Sequence, residues 1–124
     1  MYEVEYITAC QKDSQDMTDN DRKHLLEICQ QSTHYKILIT HGTDTMMKTA
    51  EYIAQHNLPK VIVITGAFLP EAFKESDGDF NVGFACGALQ TQIKHGVYIA
   101  MNGQIQEWDK MTRDNHTFMF TNKV

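Results

Sequence analysis

Basic residues are few and never clustered: eleven lysines and arginines face sixteen aspartates and glutamates, for a net charge of −5. Nucleic acid and anionic membrane surfaces both need a concentrated positive face, so neither is expected as a partner. No apolar run approaches the roughly 20 residues that a membrane-crossing helix requires. Glycine-rich phosphate loops are missing too, because neither GxGxxG nor GxxxxGK occurs. Cysteine is scarce: Cys10, Cys29 and Cys86 are odd in number, far apart and set among apolar residues, the pattern of reduced thiols rather than of a disulfide framework. The six histidines show no ligand spacing with them, so no metal and no cofactor is expected. Met1 to Thr8 carry neither a basic leader nor a signal-length apolar core, and the expected location is the cytoplasm. A small polar substrate or a protein partner is what these absences leave.

The 124 residues fit a single domain spanning 1–124, large enough to be held by its core without disulfides or a structural metal. Val4 to Thr8 alternate like a short strand, with Val4 and Tyr6 on one face. A polar loop then leads to Thr18 or Asp19, either a good cap for a helix carrying Leu25, Leu26, Ile28 and Cys29 and ending near Ser32. Lys36 to Thr40 and Val61 to Thr65 are short continuous apolar runs, typical of parallel strands buried on both faces. Between them, Thr45 to Gln55 has helical spacing, stopped at Asn57-Leu58-Pro59. After a long loop, a helix from about Asp79 to Lys94 presents small residues for close approach to the sheet. Gly96 to Met101 forms a further strand, turning at Asn102-Gly103 into Gln104 to Glu107. The expected fold is α/β, with a doubly wound, mainly parallel sheet and helices on both faces. Beyond Trp108 the pattern assigns no element.

Ligands in such sheets bind outside the carboxyl ends of the strands. Ser14-Gln15, His41 to Thr45, Thr65-Gly66 and the Asn102 turn all fall there and would face one crevice. Thr43 and Asp44 stand where a buried strand becomes a helix, so backbone N–H groups and the positive helix end favour a carboxylate. Gly42 lets the backbone come close, Thr43 offers a hydroxyl that a base could activate, and Asp44 could orient water or hold a cation. An ordinary helix-capping pair would look the same. Ser14 and Gln15 could grip a small polar substrate or stabilise a turn, and His41 could be a base or a structural histidine. Asp109, Lys110 and Arg113 lie in the polar tail. A cation there would polarise the threonine hydroxyl only if the tail folds back over the crevice.

Asp13-Ser14-Gln15-Asp16-Met17-Thr18, Ile37 through Met46 with its His41-Gly42-Thr43-Asp44-Thr45 centre, and Val63-Ile64-Thr65-Gly66-Ala67 occur in the order and spacing of three signatures of bacterial L-asparaginases. Ser76-Asp77-Gly78, Phe80-Asn81, Gly83-Phe84-Ala85 and Gly96 to Gly103 extend the likeness along nearly the whole chain. The chain thus resembles the amino-terminal, catalytic domain of that family, and most of all its short single-domain members. The resemblance implies hydrolysis of L-asparagine to L-aspartate and ammonia through a threonine acyl-enzyme, without metal or cofactor. Carried over, Ser14 and Gln15 become substrate-binding residues, Thr43 the second of the family's two threonines, Asp44 its partner and an anchor for the substrate ammonium, and Gly42 a point of close backbone approach.

Two departures from the family pattern stand out. The Thr-Gly-Gly-Thr-Ile element that supplies the primary nucleophile is not among the 124 residues. The strand belonging to that element lies at the centre of the family's sheet, so unpaired backbone groups, an apolar seam and a homo-oligomer or other partner are expected. Counting from Met101-Asn102-Gly103 also places Arg113 where the family has a catalytic lysine, with Lys110 the nearest lysine. A guanidinium stays protonated and is no proton acceptor. Two readings result: an asparaginase-type amidohydrolase acting through Thr43, Asp44 and Arg113, and a non-catalytic relative that binds an amino acid or a homologous partner.

Overall fold

A computed structural model describes residues 4–67, 77–92, 94–114, 117 and 119–123. A single 3-10 turn at Ser14–Asp16 precedes helix α1 (Asp19–Gln31), strand β1 (Lys36–Thr40), α2 (Met46–Ala54), β2 (Val61–Thr65), α3 (Gly78–Thr91), β3 (Gly96–Met101) and β4 (Gln104–Glu107). A second 3-10 turn, Trp108–Lys110, leads into the short pair β5 (Met111–Arg113) and β6 (Phe120–Asn122). Helix α1 begins at a capping box in which Thr18 Oγ1 accepts the Asp21 N–H at 3.2 Å and Asp21 Oδ2 accepts the Thr18 N–H at 2.9 Å. The Lys12 ammonium, 2.9 Å away, and the Thr18 N–H hold the Asp21 carboxyl down at about 2. At the other end Lys60 Nζ donates to the carbonyls of Cys29 and Ser32, placing a cation on the negative helix terminus.

Strands β1, β2 and β3 are parallel and adjacent in sequence order, and β4 closes one side as an antiparallel hairpin on β3. Alternation along the strands separates two cores. Ile39, Ile62, Ile64, Val97, Ile99 and Met101 pack with Leu25, Leu26 and Cys29 of α1 and Met46, Ala50 and Ile53 of α2. Val61, Val63, Tyr98 and Ala100 pack with Ala85 and Leu89 of α3 on the opposite face. Both crossovers step the same way across the sheet, yet their helices lie on opposite faces. They therefore have opposite hands, and one departs from the right-handed rule that nearly all such units obey.

The α/β sheet with helices on both faces matches the sequence expectation, and so do β1 to β4. The first strand does not: residues 4–13 carry no helix or strand. A strand exists only against a partner, and among the described residues none lies beside Val4 to Thr8, whose Val4, Tyr6 and Ile7 are exposed. The cysteines differ as well: all three are free thiols, but only Cys29 is buried, and Cys86 is exposed. Burial lifts the Cys29 thiol to about 11. Among the described residues, no helix is long and apolar enough to cross a membrane.

Asn81, fully buried on α3, ties the layers together at the strands' carboxyl ends. Its Nδ2 donates to the Gly66 carbonyl at 2.8 Å and to Asp77 Oδ2 at 3.0 Å, and its Oδ1 accepts the Asn102 N–H at 3.1 Å. Asn81→Leu keeps the branched outline of the side chain but leaves the buried Gly66 carbonyl and the part-buried Asn102 N–H without this partner, an unsatisfied buried group costing about 1–3 kcal/mol. Urea unfolding should show a loss of about 2 kcal/mol or more, and a loss below about 0.5 kcal/mol would contradict this role.

Candidate functional site

The site forms where β1 and β2 end. Thr43 and Asp44 occupy the turn between β1 and the amino end of α2, with Thr43 buried and Asp44 exposed. Two close approaches shape this turn. A Cβ on Gly42 would lie 2.9 Å from both Ser14 Cβ and Ser14 Oγ, so only glycine lets the 14–16 turn press against the end of β1. A Cβ on Gly66 would collide with the His41 carbonyl oxygen, so the residue after β2 is held to glycine as well.

Ser14 is buried, and its Oγ accepts the Thr45 N–H at 3.2 Å while its carbonyl accepts the Thr45 hydroxyl at 2.7 Å. Gln15 is exposed on the same turn. Arg113 comes back from β5 over the turn between β1 and α2: Nη2 lies 3.2 Å from Asp44 Oδ1 and 3.5 Å from Thr43 Oγ1. The β5–β6 pair holds it there because Met111 and Phe120 are anchored in the core beneath. Thus Thr43, Asp44 and Arg113 meet directly. Ser14 joins them through Gly42 and Thr45, and Gln15 stands at the exposed rim. At the far side, Asn102 Nδ2 is buried with no hydrogen-bond partner among the described residues.

Arg22 is the residue that sequence reasoning missed. It sits on α1, 2% exposed, with Nε donating to Thr49 Oγ1 and Nη2 to Thr45 Oγ1, both at 3.0 Å. Its Nη1 reaches the Met17 carbonyl at 3.5 Å and lies 3.8 Å from exposed Asp19. The network continues to His41, whose Nδ1 is 2.6 Å from the Gly42 carbonyl and whose Nε2 is 2.8 Å from Thr49 Oγ1. A carbonyl only accepts, so Nδ1 carries the proton and Nε2 accepts from the Thr49 hydroxyl. This pattern matches the neutral tautomer of His41 with the proton on Nδ1. Burial and the Arg22 charge lower its pKa, against the opposing Gly42 hydrogen bond. The only hint in the sequence is an arginine at the core-facing spacing of Leu25, Leu26 and Cys29.

Chemically, the arrangement offers a hydroxyl at a helix amino end, a carboxylate, and a fixed cation that touches both. That combination suits a small molecule bearing an ammonium and a carboxylate or carboxamide. No group of three His, Cys, Asp or Glu among the described residues could hold a metal ion. Fold and site together define an α/β domain in which a hydroxyl, a carboxylate and a guanidinium meet at a strand-to-helix turn.

The family model described as asparaginase, N-terminal, matches residues 1–120. L-asparaginase 2 of Escherichia coli (strain K12) is 32% identical over 117 residues, covering 89% of this chain and 33% of that protein. L-asparaginase 1 of the same strain is 35% identical over 101 residues, covering 77% of this chain and 26% of that protein. Glutaminase-asparaginase of Acinetobacter glutaminasificans is 29% identical over 126 residues, covering 94% of this chain and 38% of that protein. The chain belongs to the asparaginase family. It spans about a quarter to a third of the length of the two Escherichia coli L-asparaginases.

Because the folded pKa of His41 lies below its unfolded value of about 6.5, the unfolded chain takes up the proton first. This contribution is fully present above about pH 6.5 and is lost as pH falls toward the folded pKa. The difference in melting temperature between pH 7.5 and pH 5.5 should shrink in His41→Gln. An NMR titration should show the His41 pKa rising in Arg22→Met; an unchanged or lower value would break the proposed charge coupling.

Proposed function

We propose that the crevice binds L-asparagine or a closely similar amino acid, and that amide hydrolysis by this chain alone is slow. The observation that carries this reading is the single guanidinium of Arg113 touching both Thr43 Oγ1 and Asp44 Oδ1. Asp44 supplies the anchor for a substrate ammonium, and the amino end of α2 favours the α-carboxylate. Ser14 and Gln15 close the crevice from the 14–16 turn, with Gly42 giving the backbone room. The relatives named L-asparaginase support asparagine as the ligand.

Hydrolysis through Thr43 needs a base for its proton. Arg113 stays protonated, so it steadies negative charge on a developing oxyanion without accepting the proton. This favours the second reading, an amino-acid-binding relative with little turnover, over a fully active amidohydrolase. Self-association is part of the proposal because, among the described residues, β1 ends the sheet with apolar residues on both faces. The cytoplasm is the proposed location, since exposed Cys86 suits a reducing compartment.

Calorimetry with purified protein should give saturable binding of L-asparagine or L-aspartate. Asp44→Ala should weaken it about 10- to 100-fold, the loss of one charge-assisted contact of about 1.5–3 kcal/mol. No binding heat from the unaltered chain would overturn the reading. Arg113→Lys restores a group able to lose its proton, and general-base assistance contributes roughly 10²–10⁴. Ammonia release from L-asparagine should then rise at least about 10-fold over the parent; equal rates would remove Arg113 as the cause of slow turnover.

A further inference from the structure

We propose that the buried charge of Arg22 is a specificity determinant: it makes the site at the Thr43–Asp44 turn prefer an amino acid with a second carboxylate, so that L-aspartate binds more tightly than its amide, L-asparagine. This selectivity rests on that turn being an amino-acid site and adds what discriminates among amino acids there. Arg22 stands behind the turn, on α1, and acts on the ligand through its field rather than by contact.

The guanidinium is 2% exposed, and its donors are met by uncharged oxygens. Nε donates to Thr49 Oγ1 and Nη2 to Thr45 Oγ1, both at 3.0 Å, and Nη1 reaches the Met17 carbonyl at 3.5 Å. Hydroxyls and carbonyls satisfy hydrogen bonds but cancel no charge. Among the described residues the carboxylate within ion-pair range is that of Asp19, 3.8 Å from Nη1 and 87% exposed, where water weakens its effect. The uncancelled field acts through a medium of lower dielectric than water and so falls off slowly. Burial, and after it this charge, lower the His41 pKa against the opposing Gly42 hydrogen bond, which places the end of β1 within reach of that field.

The same charge backs the first turn of α2. Thr45, the residue before that helix, accepts from Arg22 Nη2, passes its own hydroxyl proton to the Ser14 carbonyl at 2.7 Å and gives its N–H to Ser14 Oγ at 3.2 Å. First-turn N–H groups have no acceptor within their helix and carry its positive end. α2 has no acidic residue in its first turn to offset that end, whereas α1 has Asp19 and Asp21. In front of the turn, Arg113 Nη2 lies 3.2 Å from Asp44 Oδ1. Two guanidiniums thus stand against the carboxylate of Asp44, beside a His41 whose contacts match its neutral form. Asp13, Asp16 and Asp19 are exposed to water, and Asp21 is held by Lys12 at 2.9 Å. A zwitterion with its ammonium on Asp44 and its α-carboxylate at α2 is neutral in sum and leaves the positive excess unchanged. A second carboxylate balances it, and offers Arg113 a planar acceptor once the ammonium has taken Asp44.

Calorimetry at about pH 8, well above the ordinary histidine value of about 6.5, keeps His41 uncharged throughout. The full chain should bind L-aspartate at least about 10-fold more tightly than L-asparagine. Arg22→Gln keeps amide donors for the two threonines but no charge, and should narrow that ratio at least about 5-fold; Arg22→Lys keeps the charge and should hold the ratio within about 2-fold. A merely structural Arg22 would weaken both ligands alike and leave the ratio unmoved. Because a buried charge is screened little, the ratio in the unaltered protein should change by less than about 3-fold between about 0.05 and 0.5 M NaCl. Three results would overturn the proposal: equal or weaker binding of L-aspartate, an unchanged ratio in Arg22→Gln, or a preference that vanishes in salt. The first and third are read on the unaltered protein and decide the matter even where a variant does not fold. Absence of binding heat from both ligands removes the amino-acid site and this selectivity with it, whereas saturable binding of both at equal affinity removes the selectivity alone.

Discussion

A guanidinium buried in an apolar layer must find oxygen acceptors for its donors, and the way Arg22 meets that demand organises the crevice. The carboxylate within ion-pair range of it among the described residues, Asp19, is exposed and 3.8 Å away, so neutral oxygens make the closest contacts. Thr45 and Thr49 lie one helical turn apart on the same side of α2, and each passes the constraint onward. Thr45 fixes Ser14, while Thr49 fixes the ring of His41. Two loops from distant parts of the sequence are thereby referenced to one side chain on α1. The small separation between Ser14 and Gly42 follows from this arrangement, with glycine as the only residue that fits.

The electrostatics of the site divide along the same line. Behind the turn lies the buried, neutral-acceptor network of Arg22 and His41. In front of it lies the open pair of Asp44 and Arg113. The rear network resists protonation, whereas the front pair can exchange its partners with a ligand carrying charges of both signs. Thr43 stands between them with its hydroxyl 3.5 Å from Arg113 Nη2, and the proposed separation of binding from hydrolysis rests on that arrangement.

Much of the fold could be read directly from residue order. Lys36–Thr40 and Val61–Thr65 are unbroken apolar runs, and the Asn102-Gly103 turn all but dictates a returning strand at Gln104. The Thr43–Asp44 turn could be placed for the same reason, since a buried strand running into a helix brings its loop to the ligand side of the sheet. Three features were hidden. Val4 to Thr8 has strand alternation, but pairing is a property of two segments, and the second is not among the described residues. The β5–β6 pair rests on Met111 and Phe120, which are separated by the polar stretch Thr112 to Thr117, and the apolar run ending at Phe120 is too short to show a period. Arg22 looks like a surface charge until its acceptors are known, because local sequence does not reveal that two threonines of another helix will face it.

The two borders of the sheet are chemically unequal. β4 presents glutamines and a glutamate in antiparallel register, and β1 presents isoleucine and leucine in a parallel one. Fibre growth by edge pairing needs two mutually compatible borders on every subunit, so that each addition exposes a fresh template. Here the polar border offers a poor match for the apolar one. Pairing at β1 would therefore expose no matching template for a further addition, which disfavours growth into a polymer.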